Sequence, residues 1–128
     1  YKTLEQWGHP LYVQEYLENP GRDIRAFVLG ESVLTSIYRV AAPGEWKTNV
    51  AQGAQAKPAR LSPELEQLAT KAAEALDLLY AGVDLLETEQ GSVVIEVNGS
   101  PSWQGLQKAT GVDVAERLVQ FVMDQVKR

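Results

Sequence analysis

Gly82-Val83-Asp84-Leu85-Leu86-Glu87 and Val93-Val94-Ile95-Glu96-Val97-Asn98 are two β-forming runs separated by Thr88-Glu89-Gln90-Gly91-Ser92. Such runs on either side of a short polar link read as an antiparallel hairpin. With the turn centred on Gln90, opposed residue numbers sum to 180, so Asp84 faces Glu96 and Gly82 faces Asn98. The side-chain period of two then gathers Asp84, Glu96 and Asn98 on one face. Two carboxylates directly opposed across a sheet repel, and a bound divalent cation turns that cost into attraction. The donors are oxygens only, a set that suits magnesium or manganese better than zinc or copper. A register one residue away would instead point the two acids apart into water.

Working outward, a second hairpin lies upstream. Asp23–Leu29 and Ser32–Val40 are rich in Ile, Val, Phe and Tyr and are joined by Gly30-Glu31, a two-residue connection. Before them, Leu11–Leu17 reads as a strand, followed by the turn signal Asn19-Pro20-Gly21. From Ala41 to Ser62 the apolar pattern lapses, which predicts a long loop of functional or mobile character. Ser62-Pro63-Glu64 then supplies an N-cap, a proline at the first helical position and an acidic first turn. Apolar residues from Leu65 to Leu79 follow at helical spacing. Beyond the acidic hairpin, Gly99-Ser100-Pro101 opens an irregular stretch, and Val114, Leu118, Val119, Val122 and Val126 mark a closing helix capped by Asp113. Hairpins with two helices predict an α+β fold, an antiparallel sheet with helices packed on one face.

The composition sets bounds on this reading. The chain has 128 residues, 45% hydrophobic and 23% charged, enough for one folded domain over residues 1–128. Its net charge is −5 with no Lys/Arg cluster, which argues against nucleic acid or an anionic membrane surface as partner. There is no signal-peptide pattern and no cysteine, as expected of a cytoplasmic protein without disulfides or thiolate metal sites. The chain opens on Tyr1, and its sole methionine is Met123, so it reads as a fragment of a longer protein.

The first hairpin is rich in charge. Asp23 and Arg25 share a face at period two, and Arg39 lies on the partner strand. Convergent guanidinium groups could hold carboxylate or phosphate bidentately; alternatively, these residues and Arg22 form an exposed polar face with weak ion pairs. Lys47-Thr48-Asn49 in the long loop could meet an anionic ligand or be merely solvated. His9 is the only histidine, beside Pro10, which leaves no Ser-His-Asp arrangement in view.

Several segments, taken in order, resemble RimK-like ATP-grasp ligases. They are Gln14-Glu15-Tyr16-Leu17, Gly21 to Gly30, Trp46-Lys47-Thr48-Asn49, Ala81 to Leu86 and Ile95 to Pro101. The resemblance runs from about Val13 to the closing helix and implies the C-terminal lobe of an ATP-grasp fold. It implies a carboxylate–amine ligase in which ATP converts a carboxylate to an acylphosphate that an amino group attacks. The family's best-known activity adds glutamate to a ribosomal protein, so glutamate is the expected amino acid, with a protein or small-molecule acceptor. Carried over by position, Glu15 and Tyr16 match a strand along the adenine, Asp23 the ribose end of the nucleotide, and Lys47, Thr48 and Asn49 a nucleotide-contacting loop. Asp84, Glu96 and Asn98 match the ligands that hold magnesium against the ATP phosphates. Arg25 and Arg39 match catalytic arginines facing phosphate and carboxylate. The family's upstream lysines, glycine-rich phosphate loop and N-terminal substrate domain have no counterpart here, so the fragment alone is expected to be inactive. A non-catalytic nucleotide- or protein-binding module that keeps this lobe as scaffold is the alternative, and an assembly of several copies is compatible with either reading.

Overall fold

The computed structural model describes Gly8 and residues 12–41 and 55–127. Five strands form one antiparallel sheet: β1 (Arg22–Leu29), β2 (Ser32–Val40), β3 (Gln55–Pro58), β4 (Tyr80–Thr88) and β5 (Gly91–Asn98), in the spatial order β3-β2-β1-β4-β5. Among these residues three helices accompany it: α1 (Pro63–Glu74), α2 (Gln104–Thr110) and α3 (Val114–Val126).

Both expected hairpins form. In the first, Leu29 pairs with Ser32, so Gly30-Glu31 is the whole connection, and Gly30 takes φ +61°, a conformation that favours glycine. Central strands β1 and β4 present two different faces. On one, Ile24, Ala26 and Val28 pack with Ala81, Val83 and Leu85 beneath Ala69 and Ala73 of α1. On the other, Phe27 and Ile37 pack with Leu106 of α2 and Val114 of α3, and Trp103 seals the edge of that cluster. The α+β class is as expected. The helices, expected on one face, are shared between two: α1 covers one, while α2 and the start of α3 cover the other.

Local chemistry explains the remaining boundaries. The Ser62 hydroxyl accepts from the Leu65 N–H at 3.4 Å and Pro63 occupies the first turn, as the sequence implies. The helix ends at Glu74 rather than running to Leu79, because Ala75–Asp77 turns away and Asp77 takes φ +54°; Leu76 and Leu79 are left exposed. Asp113 caps α3 by accepting from the Glu116 N–H at 3.0 Å.

One further expected feature is corrected and two elements are new. Tyr12–Leu17, expected as a strand, has no regular structure, and most of it is exposed. Within the expected long loop, Gln55–Pro58 forms edge strand β3; its composition lacks any β pattern, and its proline is tolerated because it ends an edge strand. Helix α2 occupies part of the stretch expected to be irregular. It is seven residues long with no side-chain N-cap, so the usual start signal is missing.

Candidate functional site

The sheet face that carries Phe27 is divided. One half is apolar and lies under α2; on the other, Asp23, Arg25, Arg39, Asp84, Glu96 and Asn98 come together by strand register. Arg25 pairs with Asp84 across β1 and β4, Asp23 with Arg39 across β1 and β2, and Asp84 with Glu96 across β4 and β5.

The register of the acidic hairpin agrees with the sequence at the site and differs near the turn. Gly82–Asn98 and Asp84–Glu96 pair as expected, but from Leu85 to Thr88 the pairing is shifted by one. The turn is the two-residue Glu89-Gln90, and a bulge at Ile95 takes up the difference. That extra residue returns Glu96 and Asn98 to the face of Asp84; an unbulged strand would turn both away.

Arg25, Arg39, Asp23 and Asp84 form one buried network. Arg25 grips Asp84 with both Nε and Nη2, the latter at 2.8 Å. Arg39 grips Asp23 with Nε and Nη2 at 2.7 and 2.6 Å, and the same Nη2 reaches Asp84 at 2.8 Å. Asp23 and Asp84 are only 5% and 4% exposed. A weakly paired, exposed surface is therefore excluded, because fork-shaped pairs at this depth are charge-assisted and geometrically fixed. For Arg39, burial alone would lower the pKa, but the Asp23 hydrogen bond and the charges of Asp84 and Asp23 outweigh it, holding the pKa above its ordinary value. Arg22 is not part of this network. It points to the opposite face, stacks over Tyr38 at 4.1 Å and pairs with Glu87 at 3.0 Å.

The network changes the argument for a cation. From sequence, opposed Asp84 and Glu96 looked uncompensated; in the fold, two guanidinium groups already neutralise Asp84. Repulsion across the hairpin therefore does not by itself demand a metal. Among the described residues no group of three or more His, Cys, Asp or Glu side chains gathers as a metal cage. The oxygens of Asp84, Glu96 and Asn98 still share one face, and Glu96 is exposed beside the buried Asp84. Asn98 Oδ1 accepts from the Ser100 N–H at 2.8 Å, which fixes the side chain and leaves that oxygen a second lone pair. Hard oxygen donors of this kind fit magnesium once Asp84 exchanges a guanidinium for it.

Of the other expected site residues, Glu15 and Tyr16 are exposed in the irregular segment before β1. Lys47, Thr48 and Asn49 lie outside the described residues. Asp23 spends both carboxylate oxygens on Arg39. The sequence reading overlooked Gly82 as a site residue: its Cβ position, were there one, would lie 3.1 Å from Arg25 Nη1.

Solved structures that share this fold include ATP-grasp ligases. The ligase PsnB with its precursor peptide PsnA2 and AMPPNP aligns at TM-score 0.70 and 23% identity, over 87% of this chain and 34% of that one. PsnB with a minimal precursor, Mg and ADP gives TM-score 0.70 and 23% identity over the same shares. The macrocyclase MdnC from Microcystis aeruginosa, bound to precursor peptide MdnA, gives 0.60 and 13% over 84% and 31%. The fold is thus that of the ATP-grasp class. Residues 2–122 match the RimK-like ATP-grasp domain, and the chain belongs to that family. It is 45% identical over 118 residues to a probable alpha-L-glutamate ligase 1 of Shewanella frigidimarina, covering 91% of this chain and 39% of the relative. It is 44% identical over 119 residues to the tetrahydromethanopterin:alpha-L-glutamate ligase of Methanocaldococcus jannaschii, covering 91% and 40%. The chain spans about two-fifths of the length of these relatives.

Proposed function

We propose that this chain is the C-terminal, nucleotide- and metal-binding lobe of an ATP- and magnesium-dependent carboxylate–amine ligase that uses an amino acid, glutamate in our reading. The observation that carries the proposal is the convergence of Arg25, Arg39, Asp84, Glu96 and Asn98 on the open half of one sheet face. Relatives that are alpha-L-glutamate ligases support glutamate, and the PsnB complexes with AMPPNP and with Mg and ADP support the nucleotide and the metal.

In this reading the γ-phosphoryl group passes from ATP to an oxygen of the substrate carboxylate and ADP leaves. An amine then attacks the acyl carbon, loses a proton and expels phosphate, leaving an amide. Such transfers need alignment and charge neutralisation more than acid–base groups. Arg25 and Arg39, each held through Nε and Nη2 by a carboxylate, would offer their remaining Nη N–H groups to phosphate and carboxylate oxygens, and Asp23 holds Arg39 in place near the nucleotide. Asp84, Glu96 and Asn98 would hold magnesium, or manganese, which neutralises phosphate charge when bound. Glu15 and Tyr16 would contact the adenine, and Lys47, Thr48 and Asn49 the phosphates. The reaction's demand for ATP fits the cytoplasm. The described helices include none long and apolar enough to cross a membrane.

Calorimetric titration of magnesium with a non-hydrolysable ATP analogue, into the protein and into its Glu96→Gln variant, tests this. Metal-dependent binding that the substitution weakens at least tenfold is expected. Equal affinity in both would remove Glu96 from the site, and no binding by the unaltered protein would favour the scaffold alternative.

A further inference from the structure

Every position around Gly82 on the divided face carries a side chain: Tyr80 and Asp84 along β4, Phe27 across β1, Asn98 across β5. Position 82 alone is bare. A glycine inside a strand is destabilising relative to alanine, and backbone conformation does not require it here, because Gly82 does not have a positive φ. Space is the reason the structure offers. A Cβ at residue 82 would come within 2.8 Å of Pro101 Cβ, 3.1 Å of Arg25 Nη1 and 3.5 Å of Arg25 Cδ.

The two neighbours differ in their freedom to move. Pro101 is a buried ring with little freedom of its own, and the residue before it is tied to Asn98 by the Ser100 N–H. Arg25 stands opposite Asp84 and directs Nε and Nη2 to it, while its Cδ and Nη1 lie over the bare backbone of Gly82. A side chain at 82 therefore presses on both: the Pro101 contact must shift, and the Arg25 guanidinium, held at Asp84, must give by a few tenths of an ångström.

We propose that Gly82 is a positioning residue for Arg25: its missing side chain is the slot in which the Arg25 guanidinium lies, and that slot sets where the guanidinium stands for an incoming phosphate or carboxylate. The second half of the proposal rests on the ligand-site reading above; the first half stands on geometry alone.

The test reads the two halves separately. Arginine side-chain ¹⁵N spectra, assigned with Arg25→Lys, follow the hydrogen-bonded Arg25 Nε–H in the unaltered protein, in Gly82→Ala, and in Gly82→Ala combined with Pro101→Gly. The double variant removes the closer clash and keeps the test alive if Gly82→Ala alone does not fold. Loss of the Arg25 signal in the double variant, with the Arg39 signal retained, is expected. Affinity for magnesium and the ATP analogue should fall about tenfold, the scale of one charge-assisted hydrogen bond. Adding Gly82→Ala to Arg25→Lys should change affinity less than twofold, because a lysine has no Nη1 to displace. Retention of the Arg25 signal in Gly82→Ala, or its full recovery on removing the Pro101 side chain, would overturn the proposal. If the Arg25 signal is lost while even the unaltered protein fails to bind nucleotide, the slot stands and the ligand-site reading falls.

Discussion

Alternate residues of β1 face two environments that are almost equally buried and chemically opposite. Ile24, Ala26 and Val28 meet apolar side chains beneath α1; one position away, Asp23 and Arg25 join a network of four charges beside Phe27. Apolar burial is tolerant, since any well-shaped hydrophobic group fills the space at modest cost. The charged half has no such tolerance. Its groups are neutralised only by one another's opposite charges in fixed geometry, and removing a member leaves a desolvated charge behind. The same strand thus divides its work, stability on one face and fixed electrostatics on the other.

The sharpest way to break this contrast is Asp84→Ala. It removes the carboxylate that Arg25 grips and that Arg39 shares, and unfolding free energy should fall by about 3–5 kcal/mol, as for a broken buried ion pair. Urea denaturation measures it. A sequence reading alone expects the reverse, because neutralising one of two opposed acids should relieve repulsion; a stabilised variant would mean the arginines do not hold Asp84 in solution. Leu85→Ala, one residue along and on the other face, should cost about 3 kcal/mol through the cavity it leaves. Its magnesium-dependent nucleotide affinity should stay within about twofold of the unaltered protein, since Leu85 touches only the α1 side. If both variants lose affinity alike, the two faces are not separable.

A smaller effect is expected away from both faces. Ser62→Ala removes the N-cap of α1 and should cost about 1 kcal/mol. The Ser62 hydroxyl, together with Glu64's own backbone N–H, also lowers the Glu64 pKa below its ordinary value. A depressed carboxylate contributes stability that is present above the ordinary glutamate range and lost as pH falls through the lowered value. The gap between unaltered and variant protein should therefore narrow on acidification below about pH 4. A gap of constant size would separate the cap from the carboxylate.

Much of this division was legible in the sequence. The two hairpins, the Ser62 and Asp113 caps, and the placement of Asp84, Glu96 and Asn98 together all follow from period, turn chemistry and residue type. What was not legible has physical causes. The Ile95 bulge leaves no mark, since isoleucine suits a regular strand equally well, and the correct pairing of Asp84 with Glu96 came from a turn centre and a bulge that offset one another. Strand β3 and helix α2 lack propensity or caps and exist through tertiary packing. The extended appearance of Tyr12–Leu17 is not matched by a paired strand. Burial of Arg25 and Arg39 was invisible because charge predicts a surface, and only the three-strand register shows that each guanidinium has a carboxylate across from it.

Glu96→Gln sharpens the comparison most finely, because it separates two acids that face each other on one hairpin. Asp84 is buried and bound to two arginines; Glu96 is exposed. Removing the Glu96 charge leaves no guanidinium stranded and creates no cavity, so thermal and urea stability should stay within about 0.5 kcal/mol of the unaltered protein. Its effect should instead fall on the ligand, since the proposed magnesium site would lose one of its two carboxylates. A variant that unfolds more easily would show that Glu96 belongs to the structural network with Asp84. One that is equally stable and has lost metal-dependent nucleotide binding would place the boundary between structure and chemistry across that single pair of opposed residues.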